Sequence, residues 1–240
     1  MQTAVFVRRC NSVPRTPWAR LLKAGGRLRA GCPPGGPRAS RRRDARVASA
    51  LVATIRGVTA YPHWRFFPAF RAPPDWVPAL TAIFDAHRAQ IESLVVHAKR
   101  MESDDVLRVL ADDLERDMGF AVERGKKRMG KLPRPVFFGD QGTFLRTYEI
   151  DAFQPDHGIA LEVEAGRATM GNAIYRDIIQ GSLIVDARVL ALAVPVEYRY
   201  KSGAREAREP SYAKTYSVVE AIYGSQRLAL PFEGLLLIGY

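Results

Sequence analysis

The sequence predicts an α/β (α+β) domain, a mixed β-sheet flanked by helices in the order helix, strand, strand, strand, helix, strand, behind an N-terminal helical extension. Three observations predict it. Apolar residues recur at helical spacing before and after Ser103. Two alternating runs face each other across Pro155-Asp156-His157-Gly158. An uninterrupted apolar run, VLALAVPVEY, has the character of a strand buried on both faces.

The chain of 240 residues carries a formal charge of +11, but the excess is local. Residues 1–57 hold 13 Lys and Arg against Asp44 alone; of the totals of 36 basic and 25 acidic residues, the remainder therefore keeps 23 against 24. That first segment is rich in Arg, Pro and Gly, lacks apolar periodicity and is expected to be disordered. It reads as a solvated tail or over-called start, an electrostatic arm for DNA, or an organelle transit peptide. Residues 58–100 are expected to form an aromatic strap and an amphipathic helix packed on a domain spanning 101–240.

Tyr61, Trp64, Phe66, Phe67 and Phe70 make the strap, with core packing as the expectation for them. Asp75 as a cap, Pro78 in the first turn, and Val77, Leu80, Ile83, Phe84, Ile91, Leu94 and Val95 then predict one long helix. His87 and His97 lie on or beside it as ordinary histidines. Ser103 opens a second helix that runs through Val106, Leu107, Leu110 and Leu114 to Gly119. Phe120–Val122 reads as a strand, and RGKKRMGKLPRP as a basic loop. Beyond the central pair of strands, GRATMGNAIYRDIIQGSLIVDA and SYAKTYSVVEAIYG read as helices and GLLLIGY as a final strand.

Chemistry concentrates in YEIDAFQPDHGIALEVEAG. A four-residue loop with Gly158 at its end pairs Gln154 with Ile159, Phe153 with Ala160, Asp151 with Glu162 and Glu149 with Glu164. Strand side chains alternate, so the four acids share one face and Ile150, Leu161 and Val163 the other. Opposed like charges are destabilising, and a divalent cation among oxygen ligands, Mg²⁺ or Mn²⁺, relieves them; an exposed acidic strand face is the plainer alternative.

These acids and the order of elements resemble the PD-(D/E)XK nuclease superfamily, especially type II restriction endonucleases with a Glu-x-Glu variant of the motif, over residues 101–200. The resemblance implies a restriction-endonuclease-like core. Asp151 matches the family's first acid and Glu162-Val163-Glu164 its second element, with Glu164 where Lys is commonest. EVEAGRA with Asn172 and Arg176 resembles the segment after that motif. Pro155-Asp156 spells the nominal "PD", but Asp156 falls at a loop tip. By resemblance, Asp151, Glu162 and the Val163 carbonyl would bind Mg²⁺, Glu149 would support them, and Glu164 would bind a second metal or act as general base. Glu102 or Asp105 of the preceding helix could complete the site.

The implied activity is Mg²⁺-dependent hydrolysis of double-stranded DNA by a homodimer, with Asp151, Glu162 and Glu164 catalytic. Lys126, Lys127, Arg128, Lys131, Arg167, Arg176 and Lys201 are the candidate phosphate contacts. Two other readings stay open: a catalytically inactive nucleic-acid-binding relative, and a metal-dependent hydrolase of another substrate. Asp186 and Arg188 interrupt the most apolar segment, so no membrane span is expected. Cys10 and Cys32 signal neither a disulfide framework nor zinc, which suits a reducing, cytoplasmic compartment.

Overall fold

The computed structural model describes residues 60–95, 101–125, 128–166, 168, 171–202 and 205–240, without the side chains of 128, 201 and 202. The expected disorder of 1–57 and the position of His97 lie outside the described residues.

The aromatic strap is a strand, which corrects the expected irregular segment. β1 (His63–Phe67) runs antiparallel to the last strand of the sheet, placing Trp64 opposite Ile238 and Phe67 opposite Leu235. Alternation sends Phe66 and Phe67 into opposite cores. Phe70, 84 % exposed, takes no part in packing. The helix after it is shorter than its apolar spacing predicts. α1 (Val77–Ala86), with Pro78 in its first turn, breaks at His87, and a single turn, α2 (Arg88–Ile91), follows. Tertiary contacts override periodicity here. His87 reaches Asp113 at 2.8 Å, and the Ser93 hydroxyl donates to the Tyr240 carbonyl while accepting from the Val196 amide.

α3 (Ser103–Met118) has the expected extent. Its cap is Glu102 with Asp105, reciprocally bonded, and it ends on left-handed Gly119, with the Phe120 amide reaching back to the Leu114 carbonyl. β2 (Ala121–Val122) follows. Next comes a separate hairpin that the sequence does not signal, β3 (Pro133–Phe138) and β4 (Phe144–Glu149). The chain bends at Asp151 into β5 (Ala152–Gln154), turns at Pro155–Gly158 and returns as β6 (Ile159–Val163). α4 (Ala173–Leu183), β7 (Val189–Val194), a hairpin of β8 (Tyr198–Ser202) and β9 (Arg205–Glu209), α5 (Ser211–Ser225) and β10 (Gly234–Gly239) complete the fold.

The main sheet is six-stranded and mixed, in the order β1-β10-β7-β6-β5-β2. β6, β7 and β10 are parallel, and β2, β5 and β1 antiparallel to their neighbours. β7 and β10 are buried throughout, as parallel strands covered on both faces must be. One face packs Leu80, Phe84, Leu110 and Leu114 of α1 and α3 against Leu161, Val163 and Ile238. The other packs Ile174, Ile178, Tyr212 and Val219 of α4 and α5 against Ala160, Leu192 and Leu237. Among the described residues no helix is long and apolar enough to cross a membrane.

Candidate functional site

The turn between β5 and β6 has the predicted register. Gln154 pairs with Ile159, Phe153 with Ala160 and Ala152 with Leu161. Gly158 holds φ +63°, and a Cβ there would stand 2.7 Å from the Asp186 carbonyl, so both conformation and space require glycine. Asp156 stays in the turn, 3.4 Å from the Gln154 side chain, away from the acids. Because Phe153 and Ala160 face α4 and α5, alternation puts Glu162 on that same side, while Leu161 and Val163 face α1 and α3.

Asp151 sits at the bend, and its Oδ2 accepts the Val163 amide at 2.8 Å. Its carboxylate therefore lies across the end of β6, beside Glu162. The expected square does not close, however. Glu149 leaves the pairing, opposes Pro133 in the β3–β4 hairpin, and lies 3.5 Å from Lys131. Ile150, expected with Leu161, lies in the opposite core for the same reason: the bend between β4 and β5 breaks the alternation. The place left by Glu149 is filled from α4. Asp177, 1 % exposed, turns inward between Ile174 and Ile178 and interacts with Asp151, Glu162 and Glu164.

Glu164 follows β6 on a clamped backbone: its amide donates to the Ala193 carbonyl at 2.8 Å and its carbonyl accepts the buried Tyr240 hydroxyl at 2.9 Å. The N-terminal end of α3 is tied to the same segment. The Ser103 hydroxyl accepts the Ala165 amide at 3.0 Å, so the expected helix cap serves as a tertiary bond. Ser103→Ala leaves that amide unbonded and should cost about 1 kcal/mol, or roughly 2–4 °C of melting temperature. A melting curve checks it.

Electrostatics mark the four acids as a strained group. Burial first, then the neighbouring acids, pushes Asp151 up to about 6. Burial and then Asp151 and Asp177 hold Glu162 well above the carboxylate range. Burial, then Asp177, raises Glu164 to about 7, and burial also raises Asp177. Among the described residues, one guanidinium opposes them. Arg176 bonds Asp177 Oδ1 from Nε at 3.0 Å and from Nη2 at 2.9 Å, and lies 3.3 Å from Glu164. Asp177 Oδ2 is buried without a hydrogen-bond partner among the described residues.

Further acids stand around this group. The Glu123 amide donates to the Asp151 carbonyl at 2.7 Å, and its side chain, 8 % exposed, takes Lys131 at 2.7 Å. Asp104 adds its charge to Asp151, whereas Glu102 and Asp105, the helix acids expected there, cap α3. Lys131 is thus held by Glu123 and Glu149. Arg176 is brought to the acids. Lys126, Lys127 and Arg167 lie outside the described residues, as do the side chains of Arg128 and Lys201.

Among the described residues no three His, Cys, Asp or Glu side chains gather as a ready-made metal cage. Asp151 with Glu162 is a two-carboxylate set, the number that commonly holds Mg²⁺ together with water, and the buried Asp177 Oδ2 beside them has no hydrogen-bond partner among the described residues. The donor set therefore fits a hard divalent cation. No protein-family model matches this sequence, and no curated protein matches it.

Proposed function

We propose that the chain is a Mg²⁺-dependent endonuclease of the PD-(D/E)XK type that hydrolyses double-stranded DNA, with Mn²⁺ as an alternative ion. One observation carries this reading: Asp151, at the bend before β5, accepts the Val163 amide and so lies beside Glu162 at the end of β6, within the succession α3, β2, β5, β6, α4, β7 that the β3–β4 hairpin interrupts. In it, Asp151, Glu162 and the Val163 carbonyl would hold the ion. The ion would polarise the scissile phosphate and lower the pKa of a bound water. Glu164, raised to about 7 by burial, would serve as the base toward the attacking water.

The missing Lys has a replacement in this reading. Arg176 reaches Glu164 while its side chain remains 59 % exposed, so its guanidinium can turn to a phosphate oxygen and supply the positive charge. Asp177 holds that guanidinium in position through Nε and Nη2. Supercoiled plasmid incubated with protein and Mg²⁺ should become nicked and then linear, and chelation should stop it. DNA binding without cleavage in either Mg²⁺ or Mn²⁺ on several substrates overturns the nuclease reading in favour of a non-catalytic binder.

A further inference from the structure

Just past Val163 the ladder between β6 and β7 loses a bond. In a parallel pair, a residue that donates its amide to the carbonyl of residue j on the next strand accepts, at its own carbonyl, the amide of residue j+2. Glu164 donates its amide to the Ala193 carbonyl at 2.8 Å, so its own carbonyl is due the amide of residue 195. Residue 195 is proline and has none. The Tyr240 hydroxyl fills the position, donating to the Glu164 carbonyl at 2.9 Å.

Tyr240 is itself firmly held. It follows β10, and its phenol passes β7 to reach the end of β6. Its amide donates to the Val194 carbonyl at 3.1 Å and its carbonyl accepts the Val196 amide at 2.9 Å, so its backbone is tied on either side of Pro195. The side chain is 2 % exposed, and its ring centroid lies 6.3 Å from that of Phe84.

We propose that Tyr240 is a positioning residue for Glu164: its hydroxyl stands in for the amide that Pro195 lacks and fixes the backbone from which the Glu164 carboxylate reaches Arg176 on the opposite face of the sheet. Glu164 lies one residue beyond β6, where only these two bonds orient it. The bond to Ala193 fixes the peptide before its Cα, and the bond from Tyr240 fixes the peptide after it. Loss of the second frees rotation about ψ and lets the carboxylate move. The Val163 carbonyl belongs to the first peptide and stays in place. Losing the hydroxyl therefore displaces the base and spares the ion. That catalytic consequence rests on the nuclease reading, whereas the tether does not.

Tyr240→Phe keeps the ring and removes the donor, and Pro195→Ala in the same chain returns a backbone amide to the Glu164 carbonyl. With plasmid and Mg²⁺, Tyr240→Phe should lower kcat about tenfold while KM for DNA and the Mg²⁺ midpoint stay within about twofold of wild type. The double variant Tyr240→Phe/Pro195→Ala should recover most of that loss. Without DNA or metal, hydrogen exchange at the Glu164 and Ala165 amides should quicken about tenfold in Tyr240→Phe and slow again in the double variant. Parallel losses in kcat, KM and Mg²⁺ midpoint, or a double variant no better than Tyr240→Phe in both assays, overturn the proposal. A wild-type chain that cuts no DNA removes the nuclease reading alone, because exchange still decides the tether: unchanged exchange in Tyr240→Phe overturns it, and quickened exchange that the double variant reverses supports it.

Discussion

Glu162→Gln should slow DNA cleavage by about 10³-fold or more while raising the melting temperature of the metal-free protein near pH 8. The two effects have one cause. Glu162 is pushed well above the carboxylate range first by burial, then by the charges of Asp151 and Asp177, and Arg176 offsets this only in part. Above neutrality the folded chain must hold that carboxylate ionised where its neighbours repel it, whereas the unfolded chain holds it in water. Gln keeps the volume and removes the charge, so the metal-free fold gains a few degrees, at roughly 2–4 °C per kcal/mol for a domain of this size. Removing the same charge takes away half of the two-carboxylate set that would hold the ion. A variant that cuts like wild type would sink the assigned site. One that melts lower than wild type would show instead that the Glu162 carboxylate is a structural partner, and would count against an ion-binding role.

The position of Glu162 was legible in the sequence because the turn is over-specified. A four-residue loop, a glycine at positive φ and alternation next to the turn leave one register, and it is the one observed from Gln154–Ile159 to Ala152–Leu161. Glu149 was misplaced because alternation was carried through a strand that in fact breaks. β4 pairs with β3, and β3 carries Pro133 and Pro135, which conceal a strand signal; a two-stranded ribbon with open edges tolerates them where a central strand would not. Asp177 had a visible signal. Ile174, Ile178 and Gly181 mark the inner side of α4, and Asp177 falls three residues after the first of them, a charged residue at a core position. Asp104 and Glu123 had none, since their approach to Asp151 depends on how α3 and β2 dock on the sheet. The break at His87 was equally hidden. It goes with the contact of His87 to Asp113 and those of Ser93, just beyond, to Val196 and Tyr240, all far along the chain.

The acids also set the pH dependence of the metal-free protein. Asp151 rises to about 6 and Glu164 to about 7, and Glu162 and Asp177 move the same way, each chiefly through burial. Raised folded values mean that the folded state binds protons more tightly than the unfolded chain, whose carboxyls titrate near 4. Their stabilising contribution is complete below that range and is lost as pH rises through about 6 to 7. Between about pH 5.5 and 8 the loss should be roughly 3 kcal/mol, an order-of-magnitude figure because the acids titrate together. His63 works in the other direction. Burial lowers it from 6.5, so its contribution is lost as pH falls, which limits the gain on the acid side. Mg²⁺ should reverse the alkaline loss, contributing about 2.7 kcal/mol at one hundred times its dissociation constant. Melting curves at both pH values, with and without Mg²⁺, therefore distinguish two accounts of the site. A Mg²⁺-dependent rise confined to the higher pH supports an ion held by ionised Asp151 and Glu162. An equal rise in Glu162→Gln, or none in wild type, means that protons and Arg176 alone neutralise the acids.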